Sequence, residues 1–165
     1  MKRFLIVSVL CLTSVFVALP VSAISDGKKD AIIEHCGAIK DSLKNTQRTD
    51  ARTRVYLGGF YETILTDFVT PLNVRLVENN LSSADLVENQ NKIADTKILF
   101  ANDFVSYQQD LEELVDMNCE QEPEIFYDKL VRVRQKRKIV EQDVLKMRSL
   151  ISEHVKLVNQ LKGKL

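Results

Sequence analysis

Apolar residues recur along this chain at alternating steps of four and three, most regularly toward its C-terminal end. From Phe126 the series runs through Leu130, Val133, Arg137, Val140, Val144, Met147, Ile151, His154, Val158 and Leu161, and only Arg137 and His154 break it. A seam kept up over that length predicts a long helix packed as in a coiled coil. It should run from about Pro123 to Lys162, about 60 Å at the helical rise. Pro123 suits a first turn, where its missing N–H is harmless, and Glu120, Glu122 and Glu124 suit the positive end of the helix dipole.

The same spacing predicts a second helix from "SSADL", with Ser82 or Ser83 as N-cap, to about Met117. Leu86, Ile93, Phe100, Phe104, Tyr107, Leu111 and Leu114 form its seam, and Ala94, Ile98, Ala101 and Val105 widen the apolar face enough for two neighbours. The first helical segment is less regular. Its seam reads Ile32, Cys36, Ile39, Leu43, then polar Thr46, Asp50 and Thr53, then Leu57, Phe60, Ile64 and Phe68. The stretch 44–54, "KNTQRTDARTR", is either a polar layer in one helix or a break, and continuity or a slight bend is the preferred reading. At Pro71 the helix must kink or restart, because proline has no N–H to donate and its ring collides with the preceding turn. "VENNLSS" then supplies a turn.

The expected fold is therefore all-α: an up-down-up, three-helix antiparallel bundle of long, coiled-coil-like helices. Antiparallel pairing places Gly58 and Gly59 opposite Phe100, Ala101 and Phe104. Two adjacent helical glycines cost about 2 kcal/mol of propensity against alanine, so they call for a reason. One reason is packing, with a phenylalanine ring lying on the bare backbone. The other is a hinge or the wall of a small pocket, which would be formed by Gly58, Gly59, Phe60, Phe100 and Phe104.

Composition agrees with helix. The chain has no tryptophan, five glycines and three prolines, and 28% of its residues are charged. The N-terminus adds a compartment. Lys2 and Arg3 precede an apolar run from Phe4 to Leu19, Pro20 breaks it, and Val21-Ser22-Ala23 supplies small residues. That order reads as a secretory signal peptide over 1–23, cleaved after Ala23, leaving 24–165 as one secreted or periplasmic domain. If uncleaved, this segment is the chain's only expected contact with a membrane. Removing Lys2 and Arg3 from the 23 Lys and Arg leaves 21 against 23 Asp and Glu, a net charge of about −2. Nucleic acid is not expected as a partner, since it calls for a net basic surface.

Beyond the leader only Cys36 and Cys119 remain. Outside the reducing cytosol an even pair is most simply a disulfide. In the expected bundle both fall toward one end, offset by about 10 Å, which the looser connector after Met117 can absorb. A metal site would need more ligands: the histidines are His35 and His154, and there is no CxxC.

The basic run 129–138 carries Lys129, Arg132, Arg134, Lys136, Arg137 and Lys138, which raises the thought of an anionic polymer or lipid. Glu112, Glu113, Asp116 and Asp128 flank it, and Asp103 and Asp110 should lie at its level, so a salt-bridged, solvated face is the simpler reading. No nucleophile elbow, zinc-protease helix or phosphate loop is present, and no enzyme activity or cofactor is implied. Two functions are expected. The first is an interaction or structural module in the cell envelope or outside the cell, whose partner is another protein or a second copy meeting leftover apolar residues such as Val74, Val77, Leu157 and Leu165. The second is a carrier or sensor of a small apolar or anionic ligand held between helices.

Overall fold

The computed structural model describes residues 24–81 and 84–163. Within them the regular structure is all helical: α1 (Asp26–Glu34), α2 (Cys36–Thr63), a π-helical segment (Ile64–Val69), α3 (Thr70–Glu78), α4 (Ala84–Asp116) and α5 (Pro123–Lys162). The expected leader, the capping serines Ser82 and Ser83, and Leu165 lie outside the described residues.

The helix α5 has the bounds that its seam predicts, with Pro123 in the first turn. Its apolar seam lies against α4, and Phe126, Val133, Met147 and Leu150 are buried. Pairs such as Glu113–Lys129, Asp110–Lys136 and Asn89–Leu150 join the two helices, with residue numbers falling on one as they rise on the other. The same inverse order relates α2 to α4, through Asp50–Tyr107, Tyr61–Phe100 and Glu62–Lys97. Between the N-terminal arm and α5 the numbers rise together, as in Lys29–Glu124 and Asp50–Arg137.

Segment 44–54 is one uninterrupted helix. Thr46 and Thr53 turn their hydroxyls back to the carbonyls of Ser42 and Thr49, each at 3.0 Å, which lets threonine sit in a helix without an unpaired hydroxyl. The interruption comes instead at His35, a single turn residue at φ −109° that separates α1 from α2. The apolar pattern does not mark it.

Pro71 occupies the first turn of α3, directly after the π-helical segment. The i→i+5 turns let the chain approach proline without demanding the N–H that it lacks. They also change which residues face inward beyond Tyr61. Tyr61, Val69 and Asn73 are buried, while Phe60 and Phe68, expected on the seam, are 45% and 62% exposed. Steps of four drift around a regular helix, and the wider turn brings them back to one side. Asn73 then donates to the Leu86 carbonyl at 3.2 Å and to Gln90 Oε1 at 2.7 Å, pinning α3 to the start of α4.

The turn after α3 closes with Asn80 in the left-handed region, φ 58°. Leu81 N–H donates to the Leu76 carbonyl and Asn80 N–H to that of Val77, at 2.8 and 3.1 Å. This is a Schellman cap with asparagine where glycine is usual.

Four aromatic rings link the core along α4: Tyr61 meets Phe100 at 5.7 Å, Phe100 meets Phe104 at 6.3 Å, and Phe104 meets Tyr107 at 5.9 Å between centroids. They bridge an apolar cluster around Phe126 and Leu111 to another around Met147 and Ile93.

Candidate functional site

Cys36 and Cys119 stand at disulfide distance, with Cα atoms 5.7 Å apart, and both are buried. The connector places Cys119 by its own bonds: Asn118 Oδ1 accepts from the N–H groups of Glu120 and Gln121, and its carbonyl accepts from that of Glu122. Lys40 Nζ donates to the Met117 carbonyl at 3.1 Å, tying the connector to α2.

The five residues expected to shape a pocket are not brought together. Gly58 and Phe100 share a shallow groove between α2 and α4, whereas Phe60 lines another groove against Arg148 and Ile151 of α5. Phe100 and Phe104 together line a third, and Gly59 is exposed. The expected ring-on-glycine packing is absent: a Cβ at Gly58 or Gly59 would meet nothing within 4 Å. Phe100 and Phe104 meet each other along α4 instead, tilted at 45°, and α2 reaches them through Tyr61 on Phe100 and Arg54 on Phe104.

Asp50, the polar residue inside the α2 seam, is a hub. Its carboxylate accepts the Tyr107 hydroxyl at 2.7 Å and both Nε and Nη2 of Arg137 at 2.8 and 3.0 Å. Three helices thus meet at one forked, charge-assisted contact. Burial, reinforced by the Asp50 carboxylate, pushes the Tyr107 hydroxyl well above its ordinary value and keeps it a donor. Beside the hub an open groove of about 290 Å³ is lined by Arg54, Leu57, Phe100, Phe104 and Val144, with Arg54 lying 5.6 Å from the centre of the Phe104 ring.

Three cations of the basic run are paired: Lys129 with Glu113, Lys136 with Asp110 at 2.7 Å, and Arg137 with Asp50. The hydrogen bond from Lys136 holds the Asp110 carboxyl below the usual carboxylate range. Arg132, Arg134 and Lys138 project to solvent. Asp103, expected to face this run, lies against Asp143 of α5 instead. Burial raises the Asp143 carboxyl, Asp103 raises it further, and Lys146 opposes them.

His154, the second polar residue of the α5 seam, is buried against Asn89. Asn89 Nδ2 donates to the Leu150 carbonyl at 3.2 Å, so its Oδ1 must accept from His154 Nδ1–H at 3.0 Å. Burial pushes the imidazole below its ordinary value of 6.5. The unfolded chain therefore takes up a proton first, so this contribution to stability is whole above about pH 6.5 and falls as the pH drops through the lowered value. Thermal midpoints of the wild type should decline between about pH 7 and pH 5 more steeply than those of His154→Gln. Equal slopes would reject the assignment.

The outer face of α4 departs most from expectation. Ile98 and Val105, expected to be covered by a second neighbour, are 56% and 44% exposed. With Val87, Ala94 and Ala101 they form a second seam at steps of four, three and seven, displaced around α4 from the buried one. Alongside it α2 exposes Val55 at 70%, and Val55, Gly58, Ile98 and Ala101 line one groove. The breadth of the α4 apolar face was legible in the sequence, but its lack of cover was not. No helix among the described residues is long and apolar enough to cross a membrane. No protein-family model, curated protein or solved structure matches the chain, so its functional reading rests on its own residues.

Proposed function

We propose that the chain is an exported interaction module: an up-down-up three-helix bundle, freed from its leader after Ala23, that docks through the face shared by α2 and α4. The observation that carries this reading is the second apolar seam, Val87, Ala94, Ile98, Ala101 and Val105, whose three large residues are exposed beside Val55 while the two alanines are half-buried. Amphipathic helices use such a/d rows to meet another helix. The antiparallel order of the α2–α4 and α4–α5 pairs supports the bundle, and a cysteine pair at bonding distance suits a compartment outside the reducing cytosol. The carrier reading has less support, because the groove near Phe104 is small and open where ligand sites enclose most of their ligand.

A photo-crosslinking residue at position 98, introduced in the cells that make the protein, should capture a partner. The same residue at position 145, where Leu145 is equally exposed on α5, should not. Adducts at 145 with none at 98 would refute the α2–α4 face as the docking surface.

A further inference from the structure

Two features of the α2–α4 face have no internal explanation. Gly58 and Gly59 weaken α2, yet a Cβ at either would enter open space. Lys44 and Arg48 lie four residues apart on α2, and Val55 follows seven after Arg48, so the three follow one line. On α4, Ile98, Val105 and Glu112 follow one another at steps of seven, with Asp116 four beyond. Lys44, Arg48, Glu112 and Asp116 are exposed, and none of them forms an ion pair among the described residues.

The α2–α4 pairs set the levels. Asp50 meets Tyr107 and Tyr61 meets Phe100, so Lys44 stands level with Glu112, Val55 stands near Val105, and the glycine pair stands level with Ala101. One face thus carries a basic end on α2 beside an acidic end on α4, and a bare-backbone notch on α2 beside small and branched side chains on α4. Turned by 180° about an axis parallel to the helices, this face complements itself. Helix α2 of one copy then lies on α4 of the other with every level kept.

We infer that the occupant of this face is a second copy of the chain, docked with two-fold symmetry so that α2 of each copy packs on α4 of the other. Lys44 and Arg48 of one copy meet Glu112 and Asp116 of its partner, Val55 meets Val105, and Ile98 and Ala101 close on the backbone at Gly58 and Gly59. The two contacts are identical by symmetry, as an isologous interface requires. The small residues let the helices approach closely, and the charges set which helix meets which. This rests on the interaction-module reading and names its partner.

The test uses the full chain, processed by its own cell, with mass measured by light scattering over a concentration series. Wild type should shift from monomer to dimer mass. Ile98→Asp should weaken the dimer by tenfold or more, about 1.4 kcal/mol. Gly58→Leu should abolish the dimer while the monomer's unfolding midpoint does not fall, because leucine is a better helix former than glycine and its Cβ enters open space. The variant Lys44→Glu/Arg48→Glu and the variant Glu112→Lys/Asp116→Lys should each be monomeric alone. An equimolar mixture should recover dimer mass, since each charge-reversed helix then faces its complement. A wild type that stays monomeric throughout, or a mixture that stays monomeric while wild type dimerises, would overturn the two-fold dimer. A crosslink from position 98 to a different protein would overturn it too, yet leave the interaction reading standing.

Discussion

Replacing both Cys36 and Cys119 by alanine lowers the stability of the fold by about 2–4 kcal/mol, and a thiol reductant does the same to the wild type. The two residues are 83 apart in sequence, so their bond removes a large loop from the unfolded ensemble, for which chain entropy alone gives about 4.5 kcal/mol. Strain and residual structure in the unfolded chain reduce that figure. The effect should also have a place. Cys119 belongs to the connector between α4 and α5, and Cys36 opens α2, so reduction should speed hydrogen exchange first in α1, early α2 and residues 117–122. Unfolding by urea with and without reductant measures the total. A midpoint that reductant does not move would mean that the pair contributes no cross-link to the folded protein.

Asp50→Ala should lower stability by about 1–3 kcal/mol, a large loss for a partly exposed side chain. The reason is what it leaves behind. The Tyr107 hydroxyl is in a side chain only 1% exposed and has Asp50 as its acceptor, while Arg137 loses a two-pronged partner. Tyr107→Phe removes the donor together with its need for a partner, and should cost less, about 0.5–1.5 kcal/mol. In the double variant most of the Asp50→Ala penalty that comes from the orphaned hydroxyl should disappear. Strict additivity of the two changes would show that the residues act independently, against the hub.

Both effects arise at places where the sequence and the structure inform each other unequally. The bounds of α5 are legible because one strong seam, a proline at its start and acidic residues beside it all agree. The continuity of α2 through 44–54 is legible too, since that stretch lacks glycine and proline. What the polar layer is for was not legible. Asp50 and Arg137 each interrupt a seam, 87 residues apart, and nothing local says that the two interruptions cancel by meeting. A polar residue on a predicted seam is therefore best read with its counterpart at the same level of the neighbouring helix. His154 and Asn89 repeat the lesson at the other end of α5.

The glycine pair shows the opposite failure. Antiparallel register places Gly58 near Ala101 and Phe100 and is consistent with the groove they share, yet it says nothing about which side of α2 faces them. The regular turns of α2 decide that: Tyr61 stands eleven residues after Asp50, about three turns, and so shares its inward side, which leaves Phe60 outward. A seam stepped by fours and threes drifts around a straight helix over this length, so the local pattern points to Phe60 where the helix turns Tyr61 inward.

By itself the sequence determined the helical class, the long final helix and an irregularity at Pro71, and it made Cys36 and Cys119 the expected pair, all of which follow from periodicity, backbone chemistry and counting. The tertiary structure alone decided which apolar residues are covered, which charges are paired, and that Ile98, Val105 and Val55 are exposed beside an empty notch at Gly58. Periodicity reports that a face is apolar, whereas cover depends on whether another helix lies across it, and that is a property of the packed chain.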